Sequence, residues 1–115
     1  MRLTGFIIVW PRLFRLPYLK GMAALAILPI IFLQNNAYRY NQKLLNHERI
    51  HFAQTLELFI LPFYVWYLYE YFKLRFKGNS HQEAYRQNRF EKEAYANEHD
   101  MNYLKKRPFL NFLQY

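Results

Sequence analysis

Cysteine is absent from this chain of 115 residues. Its absence excludes disulfide frameworks, thiolate nucleophiles and every zinc site that relies on cysteine ligands. Acidic residues are also scarce, with eight aspartates and glutamates against 16 lysines and arginines. Any metal ion therefore has to be held by histidines and by a small number of carboxylates.

Long apolar runs are missing as well, since a bilayer-spanning helix needs roughly 20 apolar residues. Gly21 to Leu33 has 13 residues, and Leu58 to Phe72 has 15, with Pro62 and Glu70 inside it. No secretory signal is expected, because the run from Phe6 to Trp10 is shorter than a signal core. The expected location is the cytoplasm or the periphery of a membrane.

The composition predicts one folded domain over residues 1–115. Hydrophobic residues make up 53% of the chain and aromatic residues 21%, which provides enough apolar surface for one modest core. The net charge of +8 is spread along the sequence, and such a bias most often means a solvated basic surface. Nucleic-acid binding is the least favoured function, because no recognition motif accompanies the charge.

One stretch favours contact with a membrane surface. Leu58 to Phe72 is rich in tyrosine and tryptophan, and Lys73, Arg75 and Lys77 follow it. Aromatic side chains beside basic residues are typical of proteins that bind the headgroup region of a bilayer. Peripheral contact with a membrane is therefore an expectation of the sequence.

The first third of the chain predicts short strands. Gly5 to Trp10 is rich in β-branched and aromatic residues, and Pro11 ends that pattern. Ala24 to Leu33 is a second extended candidate, in which Pro29 favours the edge of a sheet. An edge strand leaves backbone groups free to bind an extended peptide by strand addition.

Helices are predicted from residue 42 onward. Asn41 is placed as an N-cap, and Gln42 to Ile60 contains neither glycine nor proline. Pro62 is expected to end or kink this helix near Leu61, and a second helix is expected from Pro62 to Phe76.

A third helix is predicted after a glycine-asparagine break. Ser80 followed by Glu83 is a capping-box pattern, and the helix is expected to run to about Lys106. The tail after Pro108 is expected to form a short docked turn. The fold class is therefore α+β, with short N-terminal strands or a hairpin followed by three to four helices.

The sharpest feature is the run His47-Glu48-Arg49-Ile50-His51. Side chains four positions apart lie on one face of a helix, so His47 and His51 can bind the same ion. Glu48 is rotated by one position, near enough to contact the metal's water without being a ligand. A chance match to this pattern in a chain of this composition is expected on the order of 0.01 times.

A catalytic zinc site of this kind needs a third protein ligand and one open position. Phe90 to Glu98 supplies the candidates, because it holds three of the eight acidic residues. A helical wheel places Glu91 and Glu98 on one side of the buried face and Glu93 on the other, so periodicity does not separate Glu91 from Glu93. The predicted buried face consists of Phe90, Ala94, Met101 and Leu104. The histidines predicted to face solvent are His81 and His99.

This combination resembles the gluzincin metallopeptidases. His47-Glu48-x-x-His51 followed by Glu91-x-x-Ala94 is similar to their pair of helices, of which the second carries a glutamate ligand. The resemblance implies a minimal zincin-like domain that holds zinc with His47, His51 and Glu91, with Glu93 as the alternative to Glu91. It also implies a zinc-dependent hydrolase of peptide or protein substrates, in which Glu48 is the general base on zinc-bound water.

Two further positions bear on the resemblance. Gln54 is similar to the glutamine of small HExxHxxQ proteins of this kind. Tyr95 stands where gluzincins usually have an aspartate that supports a ligand histidine. A tyrosine hydroxyl, Glu98 or a backbone carbonyl is expected to replace it.

A second hypothesis remains open beside the peptidase. The chain is then a non-enzymatic, membrane-associated or partner-binding helical protein, in which the His47-to-His51 run is a structural or vestigial metal site. Replacing Glu48 by glutamine separates the two, because only the peptidase loses an activity.

Overall fold

The computed structural model describes residues 5–17 and 19–115. Its strands are β1 (Phe6–Val9), β2 (Ala24–Ile27) and β3 (Ile30–Leu33). Its α-helices are α1 (Gln42–Glu57), α2 (Leu61–Phe76), α3 (His81–Gln87), α4 (Arg89–Asn97) and α5 (Tyr103–Lys106). Short 3-10 helices cover Pro11–Arg15, Asn36–Tyr40 and Asn111–Gln114. Strands near the N-terminus followed by helices confirm the prediction of an α+β fold.

The strands form one mixed sheet in the order β1-β3-β2. β3 lies in the middle, parallel to β1 and antiparallel to β2. The extended segment predicted from Ala24 to Leu33 is interrupted at Leu28 and Pro29, where the chain turns back to pair β2 with β3. Pro29 therefore lies in a turn, where its missing N–H costs no ladder hydrogen bond, and β2 is an edge strand of the sheet.

Helix α1 carries the histidine motif and begins where the sequence predicts. The side chain of Asn41 caps it by accepting a hydrogen bond from the N–H of Leu44 at 3.1 Å. The helix ends at Glu57, earlier than the predicted end near Leu61, because Phe59 and Ile60 adopt left-handed φ angles of 60° and 67°. This turn redirects the chain into α2.

The third predicted helix is not continuous from Ser80 to Lys106. Its capping box is present, with Ser80 and Glu83 bonded to each other's backbone N–H groups, but the helix stops at Asn88. The buried Asn88 side chain accepts from the N–H of Phe90 at 3.1 Å and donates to the carbonyl of Tyr67 at 3.1 Å. An asparagine that bonds the backbone in this way starts a new helix instead of extending the old one.

A second interruption separates α4 from α5. Met101 lies in this interruption and is half exposed, so its predicted place in the core is wrong. The helical wheel assumed one continuous helix over the whole segment. Because α4 ends at Asn97, the residues after it no longer follow the same helical periodicity. Phe90 and Ala94, which precede the break, are fully buried as predicted.

In the part of the chain that the structure describes, three clusters of buried apolar residues pack around α1 and α4. The buried members of the first, between the sheet and α1, are Ala24, Ile31, Leu33, Leu45 and Phe52. Those of the second, between α1 and α4, are Ile50, Ala94 and Tyr103, and those of the third are Phe63, Phe90 and Phe112. Phe112 belongs to the predicted docked tail. Across residues 5–17 and 19–115, no helix is both long enough and apolar enough to cross a bilayer.

Candidate metal centre

Three side chains from two helices converge at the centre of the molecule. The Nε2 atoms of His47 and His51 are 3.2 Å apart, and Oε1 of Glu91 is 3.0 Å from each of them. All three residues are buried. Helix α1 supplies the histidines from successive turns, and α4 supplies the glutamate across the helix interface.

The spacing of these atoms fits a tetrahedral zinc ion. Ligand bonds of 2.0–2.2 Å at tetrahedral angles put ligand atoms about 3.3–3.6 Å apart. The distances of 3.0, 3.0 and 3.2 Å in this triangle lie slightly below that range. Two imidazoles with one carboxylate also make a known ligand set for catalytic zinc, which leaves one coordination position open.

The outer nitrogen of each imidazole has its own partner. Nδ1 of His47 lies 2.8 Å from Oε2 of Glu98, and Nδ1 of His51 lies 2.8 Å from Oε1 of Gln54. A carboxylate or an amide oxygen can only accept here, so each Nδ1 carries a proton. Both Nε2 lone pairs are then available to a metal, which is the arrangement that supports ligand histidines in metalloproteins.

Gln54 is fixed in the orientation that this role requires. Its Nε2 donates to the carbonyl of Phe90 at 3.0 Å and to Oε1 of Glu93 at 2.9 Å. The amide oxygen is thereby turned toward His51. The structure thus gives a physical role to the glutamine of the HExxHxxQ pattern.

Glu98 lies beside His47, where the resemblance to gluzincins led us to expect a replacement for the missing aspartate. It provides the carboxylate on His47, whereas Tyr95 packs its ring edge-on against the His47 ring, with centroids 4.6 Å apart. Of the three expected replacements for the missing aspartate, the structure places Glu98 in contact with the histidine.

The second oxygen of Glu91 is held by a residue that the sequence did not single out. The hydroxyl of Tyr67 in α2 donates to Oε2 of Glu91 at 2.6 Å. This bond leaves Oε1 directed at the two imidazoles. No local pattern distinguishes Tyr67 from the other aromatic residues of α2, because its role depends on how α2 packs against α4.

The electrostatics of the three groups are those of a tight ion cluster. Burial acts to lower the pKa of His47, but hydrogen bonds to Glu91 and Glu98 raise it from 6.5 to about 10. Burial also opposes the shift at His51, where the charge of Glu91 raises the pKa. Burial alone would raise the pKa of Glu91, yet the nearby histidines lower it. Without metal, His47 is therefore protonated at neutral pH, and the pKa of His51 is raised in the same direction.

Glu93 lies in a different cluster and is not brought to the imidazoles. Its carboxylate is bonded to the guanidinium of Arg107 and to the hydroxyl of Tyr103, the latter at 2.6 Å. Arg107 also forms a two-pronged pair with Glu57, at 2.7 and 2.9 Å. The charge of Glu93 is thus compensated within the core. Of these contacts, only the hydrogen bond from Gln54 connects Glu93 to a histidine, because Gln54 also bonds His51.

Glu48 lies beside the triangle and lines the two pockets that open onto it. Its side chain is buried. Burial raises the pKa of Glu48, while the charges of His47 and His51 oppose that shift. A raised pKa next to a candidate metal site is a property that a general base needs if it is later to donate its proton.

The two pockets differ in character. One has a volume of about 280 Å³ and is lined largely by apolar side chains of β2 and α2, and also by His51 and Glu91. The other, also about 280 Å³, is lined by polar and charged residues, among them Lys20, Arg86 and Glu98. Edge strand β2 contributes to both through Ala24.

The two histidines predicted to face solvent differ from each other. His99 is exposed. His81 is partly buried, with Nδ1 2.7 Å from the hydroxyl of Tyr71, and it lines the polar pocket. The wheel misplaced His81 because it assumed that α3 and α4 form one straight helix, which the break at Asn88 prevents.

Comparison of the chain with protein-family models, with curated proteins and with solved structures finds no match.

Proposed function

We propose that this protein is a zinc-dependent peptide-bond hydrolase in which His47, His51 and Glu91 hold the metal. One observation carries the proposal. The Nε2 atoms of His47 and His51 and Oε1 of Glu91 lie 3.0–3.2 Å from one another. Nδ1, on the opposite side of each ring, carries the imidazole proton and donates it to Glu98 or Gln54. Facing lone pairs at this distance repel one another unless a cation or additional protons lie between them.

The chemistry of the site would be divided between the metal and Glu48. Bound zinc would supply a Lewis acid that activates water and polarises the scissile carbonyl. Glu48 takes a proton from the attacking water as the water oxygen bonds to the carbonyl carbon. As the carbon–nitrogen bond breaks, Glu48 passes this proton to the leaving amine. The products are a carboxylic acid and an amine.

The surroundings of the site support an extended peptide as substrate. β2 is an edge strand that borders both pockets, so a peptide can pair with its backbone and cross in front of Glu48. The apolar pocket beside His51 would then accept an apolar side chain next to the scissile bond. We infer a preference for peptides that are apolar on that side.

The decisive experiment replaces Glu48 by glutamine. Glu48→Gln should keep the zinc content of the wild type and lower peptide hydrolysis by about 10²–10⁴-fold, the usual contribution of a positioned general base. Glu83→Gln is the matched control, because Glu83 is exposed and takes part in the α3 cap instead of the site. Cleavage of a quenched fluorescent peptide library and metal analysis of the same samples provide both measurements. Wild-type hydrolysis in Glu48→Gln would refute the assignment.

The non-enzymatic hypothesis makes a different prediction for the same samples. A structural zinc site gives no hydrolysis in the wild type, and removal of zinc by a chelator then unfolds the protein. The deep burial of His47, His51 and Glu91 favours this second function. Zinc-dependent hydrolysis by the wild type, abolished in Glu48→Gln, would exclude it.

A further inference from the structure

The outward face of α2 is apolar from end to end. Phe76 is 89% exposed and Leu61 is 70% exposed, at opposite ends of the helix. Exposed apolar residues recur between them at every turn, and the full set is Leu61, Val65, Leu68, Tyr69, Phe72 and Phe76. At 100° per residue these six side chains fall within an arc of about 100°. We refer to them as the α2 stripe.

The inward face of α2 contains buried aromatic residues and one buried acidic residue. Phe63 and Tyr71 pack into the protein, and so does Glu70, the one acidic residue of α2. The Glu70 carboxylate is paired with Arg89 at a distance of 2.6 Å. The helix thus carries large apolar side chains on both faces and its one negative charge inside, whereas a surface helix usually has a polar outward face.

The turn before α2 extends this apolar surface. Phe59 and Ile60 are both exposed, and both adopt left-handed φ angles, of 60° and 67°. A positive φ is unusual for any residue with a side chain and is a marked outlier for a β-branched residue such as isoleucine. Strain of this kind is associated with functional segments. Here it directs two large apolar side chains outward at the start of the stripe.

Basic residues border the stripe at the other end of α2. On the helical wheel Lys73 and Arg75 lie on opposite sides of the apolar arc, and Lys77 follows directly after the helix. Long basic side chains beside an apolar helical face reach lipid phosphates while the apolar face enters the acyl region. The net charge of the chain, +8, has the same sign.

We propose that the α2 stripe binds the surface of a membrane that contains anionic lipids, with α2 lying along that surface. The chemistry recognised is an apolar layer covered by negatively charged headgroups. Leu68 belongs to the stripe and also lines the apolar pocket beside His51, so this orientation brings one wall of that pocket to the lipid. The inference does not depend on whether the histidines hold a metal.

Co-sedimentation of the full chain with vesicles tests the proposal. Binding should be strong to vesicles that contain phosphatidylglycerol and weak to phosphatidylcholine alone. Phe72→Ser/Phe76→Ser should lower the partition coefficient by about tenfold for each ring removed from the lipid. Phe6→Ser/Tyr40→Ser is the matched control, because it removes two exposed aromatic side chains outside α2. All four side chains are exposed, and thermal unfolding verifies that the variants fold.

A second pair of variants tests the electrostatic part. Lys73→Gln/Arg75→Gln should weaken binding to anionic vesicles by about fivefold for each charge. Lys92→Gln/Lys105→Gln removes the same charge from exposed positions outside α2 and should have little effect. The proposal would be overturned if the wild type did not bind anionic vesicles. It would also be overturned if each control pair lowered binding as much as the α2 pair to which it is matched. It would also fall if the phenylalanine pair abolished a dimer in sedimentation equilibrium and left lipid binding unchanged, because the stripe would then bind a second copy.

Discussion

The carboxylate of Glu98 lies 2.8 Å from Nδ1 of His47, the ring nitrogen that does not face Glu91. The residue directly before His47 fixes this arrangement. The side-chain amide of Asn46 donates to the backbone carbonyl of Glu98 at 2.8 Å and to that of Asp100 at 3.0 Å. Helix α1 therefore holds both the histidine and the turn that carries its supporting carboxylate.

Removal of this carboxylate should weaken metal binding without removing a ligand. We expect Glu98→Ala to lower zinc affinity about 10–100-fold, the usual effect of losing the partner of a ligand histidine. Competition with a chromophoric chelator measures the affinity. Lys43→Ala is the control, because Lys43 is largely exposed and lies 3.6 Å from Oε1 of Glu98, the oxygen that does not contact His47. Unchanged zinc affinity in Glu98→Ala would show that the contact has no supporting role.

Tyr67 should act on zinc affinity through Glu91. Tyr67→Phe removes the hydroxyl that holds Oε2 of Glu91, and hydrogen bonds to charged groups are worth roughly 1.5–3 kcal/mol. Zinc affinity is expected to fall by about tenfold or more. Tyr69→Phe, two residues along the same helix and exposed, should bind zinc as the wild type does. Equal affinities of the two variants would contradict the expected role of Tyr67.

Glu93 should matter for stability and not for metal binding. Glu93→Gln removes the charge that faces Arg107, whose side chain is only 4% exposed. Leaving a buried charge poorly compensated costs about 3 kcal/mol, which urea unfolding detects. Lys92→Gln, at the exposed neighbouring position, is the control. Loss of zinc from a Glu93→Gln protein of normal stability would instead make Glu93 the third ligand.

Zinc uptake should release protons. The pKa of His47, raised to about 10, keeps this ring protonated at neutral pH in the metal-free protein, and the pKa of His51 is raised in the same direction. A metal needs the Nε2 lone pairs, so binding displaces these protons. Zinc affinity should therefore rise with pH across the neutral range, by up to about tenfold per pH unit for each proton displaced. Calorimetry in buffers of different ionisation enthalpy counts the protons. A zinc affinity that does not change with pH would contradict the raised pKa values of His47 and His51.

The metal-free protein should also lose stability as the pH rises. A histidine whose pKa is raised by folding stabilises the folded state fully below its unfolded value of 6.5. For His47 that contribution disappears as the pH passes through about 10. Zinc-loaded protein lacks this dependence, because its histidines carry no exchangeable proton at Nε2. Thermal unfolding of both forms at several pH values provides the comparison.

Local features of the chain could be predicted from the sequence. Asn41 as the cap of α1, the Ser80 capping box and the shared face of His47 and His51 all depend on residues within four positions of each other. Such features form wherever the helix forms. The sequence therefore located the pair of imidazoles correctly in relation to each other.

Features that depend on packing could not be predicted in the same way. The break at Asn88 requires the carbonyl of Tyr67, from another helix, as the acceptor for its amide. The choice between Glu91 and Glu93 depends on Arg107, which pairs with Glu93 outside the triangle of His47, His51 and Glu91. Helical periodicity treats these two glutamates alike, and only the arrangement of α1, α4 and the segment after α5 separates them.

Metal analysis of the purified chain is the most direct measurement of the proposed site. Zinc per folded chain should be close to stoichiometric in the wild type and in Glu48→Gln, and close to zero in His47→Ala and Glu91→Ala. Circular dichroism of each sample establishes that the chain is folded. A wild-type protein without stoichiometric zinc, or a Glu91→Ala variant that retains it, would contradict a metal centre formed by His47, His51 and Glu91.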